Sequence, residues 1–226
     1  MIVLYRITSI KSTNPSPLYQ EDKNKLNEFC LESFLKFYID VKPKIIFLAD
    51  HCDCQTMIRD LCLKHGYDYE IRNSNHGINQ AMLESYKIVS KIDDYVLLAE
   101  CDYLYRGIEG KIFLKSLEEL KLVSPYDHLN YYKDKKLHSA TCDIKLVDGK
   151  HFRTTERNTM TWGCHSDLIK ENLDMLNSHG YLDGQVWYDL KDKGYDLHVP
   201  ILSMATHMVK NYLAPGVNWE ELWTLK

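Results

Sequence analysis

No run of apolar residues in this sequence approaches the ~20 that a membrane-spanning helix needs. A secretory leader is not expected either, because Met1-Ile2-Val3-Leu4-Tyr5-Arg6 is a short apolar run that an arginine interrupts at once. There is no basic excess: 28 Lys and Arg stand against 32 Asp and Glu, giving a net charge of -4. Nucleic acid is therefore not an expected partner. No basic amphipathic helix argues for a membrane surface either. Repeats, low-complexity blocks and linkers are absent. The seven cysteines do not make a metal set, since Cys52 and Cys54 flank Asp53 with no second pair or spaced histidines to complete four ligands. Reduced intracellular thiols are the expectation that follows. Together these absences imply a cytoplasmic protein without an integral membrane segment.

What is present is an alternation of strand and helix signals. With 226 residues, 45% hydrophobic and 27% charged, the chain can bury one two-sided core, and a single domain over 1–226 is expected. Ile2–Ile10 reads as a strand. Asn24–Tyr38 places Leu26, Phe29, Cys30, Phe34, Phe37 and Tyr38 at helical spacing. Lys44–Ala49 is a continuous apolar run that stops at Asp50, as buried parallel strands do. Gln55–His65 is a helix with Gly66 as its stop signal. Strands over Tyr67–Arg72 and Tyr95–Ala99 enclose a helix that opens at Asn75-His76-Gly77 and runs to about Val89. The order βαβαβαβ argues for a doubly wound, mostly parallel sheet with helices on both faces.

Beyond Asp102 the pattern loosens into a small irregular region. Helices are expected over Lys111–Leu120, Ser166–Leu176 and Asp183–Lys193, with edge strands near 138–147 and 151–159 and a late strand over Tyr195–Pro200. In such a sheet, ligands sit beyond the carboxyl ends of the strands. Asp50 ends the second strand there, and Glu100-Cys101-Asp102 ends the fourth. A Glu-x-Asp pair can hold Mn²⁺ or Mg²⁺ against a diphosphate, although solvated loop carboxylates would read the same way. Asn75 and Gly77 open a helix whose free N–H groups can receive an anion, a pattern that plain capping by Asn75 also explains. Asp183 stands at a helix start, and His207 follows an apolar run.

Taken together, these segments resemble the nucleotide-diphospho-sugar transferases of GT-A fold, in particular the large inverting family that includes many bacterial polysaccharide synthases. Phe47-Leu48-Ala49-Asp50 matches the strand whose acidic end contacts the nucleobase there. Asn75-His76-Gly77 with Asn79 and Ala81 is similar to that family's Asn-x-Gly helix start. Glu100-Cys101-Asp102 stands where the family has Asp-x-Asp, a departure that keeps an oxygen ligand. Asp183, followed at distance by Gly194-Tyr195 and Val199-Pro200, resembles the acceptor side, where Leu182 replaces the family's first acidic residue. The resemblance makes 1–105 the nucleotide-sugar half and 106–226 the acceptor half.

Its implications for the site are specific. Thr8 and Ser9 are expected near the base or ribose, with Asp50 on the base. Asn75, Gly77 and Cys101 join the nucleotide-binding set. Asp102, Glu100 and His207 would hold Mn²⁺ or Mg²⁺. A turn over Thr161-Trp162-Gly163-Cys164 would bring Trp162 and Gly163 to the acceptor, and Asp183 would act as the base. The implied reaction transfers a sugar from a nucleotide-sugar, with UDP the frequent donor, to a glycan or glycoconjugate hydroxyl with inversion. Three alternatives stay open: a retaining transferase; a sugar nucleotidyltransferase, for which Ile10–Pro15 has a lysine but no glycine-rich loop; and a non-catalytic nucleotide- or carbohydrate-binding module.

Overall fold

Ile2–Ile7 forms a strand, β1, because both of its sides are covered. Val3, Tyr5 and Ile7 pack into one apolar cluster with Phe29 and Phe34, while Leu4 packs into a second with Met82 and Tyr86. A strand buried on two faces needs no polar alternation, which accounts for its continuous apolar reading. In the computed structural model, residues 1–133, 142–180 and 183–224 are described. After β1 come α1 (Lys23–Phe37), β2 (Lys44–Asp50), α2 (Gln55–His65), β3 (Tyr69–Ser74), α3 (Ile78–Val89) and β4 (Tyr95–Glu100). Asp22 caps α1 by accepting a 3.0 Å bond from the Lys25 amide. Gly66 ends α2 at φ +69°, a conformation that glycine adopts without a Cβ penalty.

The second half supplies β5 (Tyr103–Tyr105), α4 (Gly110–Leu120), β6 (Leu122–Val123), α5 (Asn130–Lys133), β7 (Ile144–Val147), β8 (Lys150–Thr155) and β9 (Trp162–His165). It continues with α6 (Ser166–Glu171), α7 (Leu173–His179), α8 (Asp183–Asp192), β10 (Leu197–Ile201), β11 (Ala205–His207) and α9 (Trp219–Thr224). Among the described residues, nine strands form one sheet in the order β3-β2-β1-β4-β9-β6-β10-β8-β7. Only β9 and β8 run against the rest, so the sheet is mostly parallel. One cluster lies on the α1, α2 and α4 side, and the other on the α3, α6 and α8 side. The result is a mixed α/β domain with a central sheet between helices.

Several expectations need correction. Thr161–Cys164 is not a turn, because Trp162–His165 is β9, paired antiparallel with both β4 and β6. The helix expected over Ser166–Leu176 is two helices, broken at Asn172, whose side-chain amide donates back to the Leu168 carbonyl at 2.8 Å. The edge strand near 138–147 is observed as Ile144–Val147, and positions 138–141 lie outside the described residues, as does Leu182. Reduced thiols throughout were expected, yet Cys52 and Cys54 are joined as a disulfide, their Cα atoms 5.5 Å apart and within bridging range. Cys30, Cys62, Cys101, Cys142 and Cys164 are free.

A second, two-stranded sheet has no counterpart in the sequence reading. β11 pairs antiparallel with β5, setting His207 opposite Tyr103. The Met208 amide then donates to the Asp102 carbonyl at 2.8 Å. This small sheet carries a residue from near the end of the chain to the carboxyl end of β4.

Candidate functional site

The carboxyl ends of β1, β2 and β4 open into a cavity of about 710 Å³. Arg6, Thr8, Lys23, Asp50, Glu100 and Asp102 line it, together with His207. Parallel register sets Arg6 directly beside Glu100 on the neighbouring strand. Their side chains form a 3.0 Å ion pair, 9% and 18% exposed respectively. Thr161 donates to the other Glu100 oxygen at 3.3 Å. Burial pushes the Glu100 carboxyl up, and Arg6 opposes that shift.

Asp102 is held differently. Its Oδ2 lies 3.5 Å from His207 Nε2 and 3.7 Å from Lys23 Nζ. Burial works against its ionisation, but Lys23 and His207 outweigh burial and hold the carboxyl well below the usual carboxylate range. The same pairing raises His207 against the effect of its own burial. The imidazole is stacked on Tyr103 with ring centres 4.9 Å apart, and its Nδ1 is buried without a partner. Cys101, between the two acids, is buried, and burial pushes its thiol up despite Lys23.

A carboxylate and an imidazole 3.5 Å apart, both facing the cavity, suit a divalent cation that takes its remaining ligands from phosphate oxygens. Asp102 and His207 are thus two of the expected metal residues that the structure brings together. Glu100 does not join them, since Arg6 and Thr161 engage both of its oxygens. Among the described residues, one group of three brings its ligand atoms within 4.8 Å of one another: Asp93, His165 and Asp167. That group can also hold a divalent cation. It lies at the opposite end of the sheet, because His165 pairs with Tyr95 at the start of β4.

The other expected residues divide into those at the cavity and those away from it. Thr8 lines the cavity. Ser9 does not, since its Oγ lies 2.7 Å from Asp53 Oδ1 and 2.8 Å from Asn24 Oδ1. Asp50 lines the cavity while its Oδ1 accepts from the His76 and Gly77 amides at 2.9 and 3.2 Å. That carboxylate thus anchors the loop before α3. Asn75 is exposed and does not cap the helix; Gly77 is the N-cap, at φ +83°. The part of α3 that reaches the cavity is Ile78 and Ala81.

The acceptor-side assignments of Trp162 and Gly163 are corrected. Trp162 is fully buried, edge to face with Trp187 at 5.4 Å between ring centres. A Cβ on Gly163 would fall 2.8 Å from the Val96 carbonyl, so glycine permits close strand packing there. The Trp162 ring is thus shut off from any acceptor, and Gly163 serves strand packing. A second cavity of about 210 Å³ adjoins the first, sharing His128 and Thr159 with it, and Gly184 forms part of its wall. Asp183 begins α8 at that wall, but its side chain lies outside the described residues. Burial, His207 and Arg157 hold His128 down at about 4, so its ring is neutral near pH 7.

Arg6, Lys23 and His128 were not expected at the site. Arg6 interrupts an apolar strand and Lys23 opens a helix, and either oddity could have signalled a cavity residue.

No family model matches the chain, and no curated protein matches it in sequence. Solved structures do align with it. A 4-diphosphocytidyl-2C-methyl-D-erythritol synthase from Anaerococcus prevotii is 13% identical with TM-score 0.53, the alignment covering 98% of this chain and 93% of that one. A nucleoside-diphosphate-sugar pyrophosphorylase from Vibrio cholerae is 12% identical with TM-score 0.55, covering 88% and 91%. Residues 1–349 of TarS from S. aureus, in complex with UDP, are 12% identical with TM-score 0.54, covering 99% and 62%. The chain shares its fold with these three structures. Likeness at this identity shows the fold alone. No helix among the described residues is long and apolar enough to cross a membrane.

Proposed function

We propose that this chain is a glycosyltransferase that moves a sugar from a nucleotide-diphosphate-sugar, with UDP as the favoured nucleotide, to a hydroxyl of a glycan or glycoconjugate. The observation that carries the proposal is the Asp102–His207 pair on the wall of the 710 Å³ cavity at the strand ends. In this fold class, such ends are where nucleotides bind.

Asp102 and His207 would hold Mn²⁺ or Mg²⁺, which when bound supplies Lewis-acid stabilisation of the diphosphate leaving group. Thr8 and Asp50, on the first two strand ends, orient the nucleoside, and the Arg6–Glu100 pair forms a charged floor to the cavity. Asp183, at the start of α8 beside the second cavity, accepts the proton of the acceptor hydroxyl. The acceptor oxygen bonds to the anomeric carbon as the bond from that carbon to the diphosphate breaks, and the diphosphate leaves with the electron pair. Attack opposite the leaving group inverts the anomeric centre. Proton removal of this kind is worth ~10²–10⁴-fold.

One observation favours a second reading. The synthase and the pyrophosphorylase are matched over nearly their whole length, and Lys11, after β1, lines the cavity as a nucleotidyltransferase would require. Lys11 is however paired with Glu21 at 3.0 Å, and no glycine occurs from Thr8 to Asp22. A thermal-shift panel of UDP, GDP, CMP and dTDP, with and without Mn²⁺, tests the transferase reading. Stabilisation of roughly 2.7 kcal/mol is expected at a hundredfold excess over Kd, Mn²⁺-dependent and with one diphosphate favoured. No shift with any nucleotide would favour a non-catalytic carbohydrate-binding module.

A further inference from the structure

Lys23 opens α1 against the local rules of helix chemistry. A positive charge in the first turn opposes the helix dipole, whose N-terminal end is itself positive. Burial adds a second cost, because its side chain is only 8% exposed and lysine is almost never buried unless paired. Asp102 offsets both costs together with Cys101, whose sulfur is a side-chain hydrogen-bond partner of the ammonium. The distance of 3.7 Å from Nζ to Oδ2 is longer than a hydrogen bond, so the ammonium balances that carboxylate by charge without donating to it.

An ammonium carries three N–H donors, and Cys101 engages only one of them. Lys23 lines both the main cavity and a smaller one under the Lys11–Ser16 loop, with Asp102 on the wall of each. Arg6 repeats the arrangement on β1: a buried cation on the partner carboxylate of the Glu-x-Asp pair, with its Nε buried and unpartnered. Positions where a sequence breaks local rules in favour of a cavity are where function is expected.

We propose that Lys23 is a donor-contacting residue: its ammonium, with Arg6 on β1, binds the diphosphate of the nucleotide-sugar directly, so part of the affinity for nucleoside diphosphate persists without divalent cations. This deepens the transferase reading and rests on it. Charge-assisted N–H···O bonds from a cation already removed from water are stronger than neutral ones. The Asp102–His207 pair then adds to an anion site that the chain has built from its own side chains.

The test is calorimetric titration of UDP and GDP into the unaltered protein and into Lys23→Met, Lys23→Gln and Lys23→Arg, in Mn²⁺ and in EDTA. The unaltered protein should bind one nucleotide in EDTA. The Met and Gln variants should weaken that binding by about tenfold to a hundredfold, while the Arg variant retains most of it. Binding by the unaltered protein that requires Mn²⁺ entirely would overturn the proposal and leave the transferase reading standing. Wild-type affinity of Lys23→Met in EDTA would overturn it equally. Binding of neither nucleotide in either buffer would instead remove the transferase reading, and this inference with it. If the neutral variants do not fold, the EDTA titration of the unaltered protein still decides.

Discussion

Both ends of the sheet carry an aspartate–histidine pair, and the two are built differently. At the carboxyl end, Asp102 and His207 are about four-fifths buried, distant in sequence, and joined by the β5–β11 sheet beside a large cavity. At the amino end, His165 and Asp167 are close neighbours in sequence, 38% and 58% exposed, with Nδ1 and Oδ2 3.2 Å apart. There His165 also caps the six-residue α6 by accepting from the Asp167 amide. The same residue types therefore serve a local turn in one place and a cavity wall in the other. Burial, a cavity and nearby cations separate the two cases, and ligand spacing alone does not.

The sharpest way to test that contrast is to remove groups at one end and then at the other. Asp183→Asn is expected to lower kcat by ~10²–10⁴-fold with donor affinity retained, measured by steady-state transfer once an acceptor is known. Retention of most of kcat would reopen the retaining mechanism. Asp102→Asn should lower metal-dependent turnover by about 10²–10³-fold and abolish the Mn²⁺ increment in UDP-induced stabilisation, with the fold intact by circular dichroism. Full activity of that variant would end the assignment of Asp102 to a cation.

Next comes stability. Arg6→Met leaves Glu100 buried without its partner and should cost about 3 kcal/mol, or roughly 6–12 °C in Tm, by calorimetry. An unchanged Tm would mean that the pair is not what holds the cavity floor. The smallest effect belongs to the amino end. His165→Ala should leave UDP affinity and its Mn²⁺ dependence unchanged and cost no more than ~1 kcal/mol for a lost cap. A fall in nucleotide affinity there would break the distinction between the two ends.

The alternating half of the fold was legible because its signals are local. Gln55–His65 and its glycine stop, or the apolar run ending at Asp50, need no knowledge of distant residues. The second half depends on pairing across the chain. β9 is four residues long with a glycine at its centre, and only its two strand neighbours, β4 and β6, make it a strand. For the same reason Trp162 could not be told from a cleft residue, since its burial depends on Trp187.

Within the site, Glu100 and Asp102 were visible as acids ending a strand, but not their different fates. That difference comes from Arg6 and Lys23, whose significance appears only once the strands are in register and α1 is docked. Asp50 was legible as a strand-end acid, while its hold on the loop before α3 was not. His207 reached the site through the resemblance, and β5–β11 pairing supplies the physical reason for its position.

The proposed transfer requires the carboxyl-end cavity to cleave the bond between a sugar and a nucleoside diphosphate. The direct measurement is ³¹P NMR of the protein incubated with a panel of UDP- and GDP-sugars in Mn²⁺, with and without pyrophosphate. Release of the nucleoside diphosphate from one donor, independent of pyrophosphate and lost in Asp102→Asn, is the expected result. Conversion to sugar 1-phosphate and nucleoside triphosphate only when pyrophosphate is present would contradict it and assign the cavity to nucleotidyl transfer.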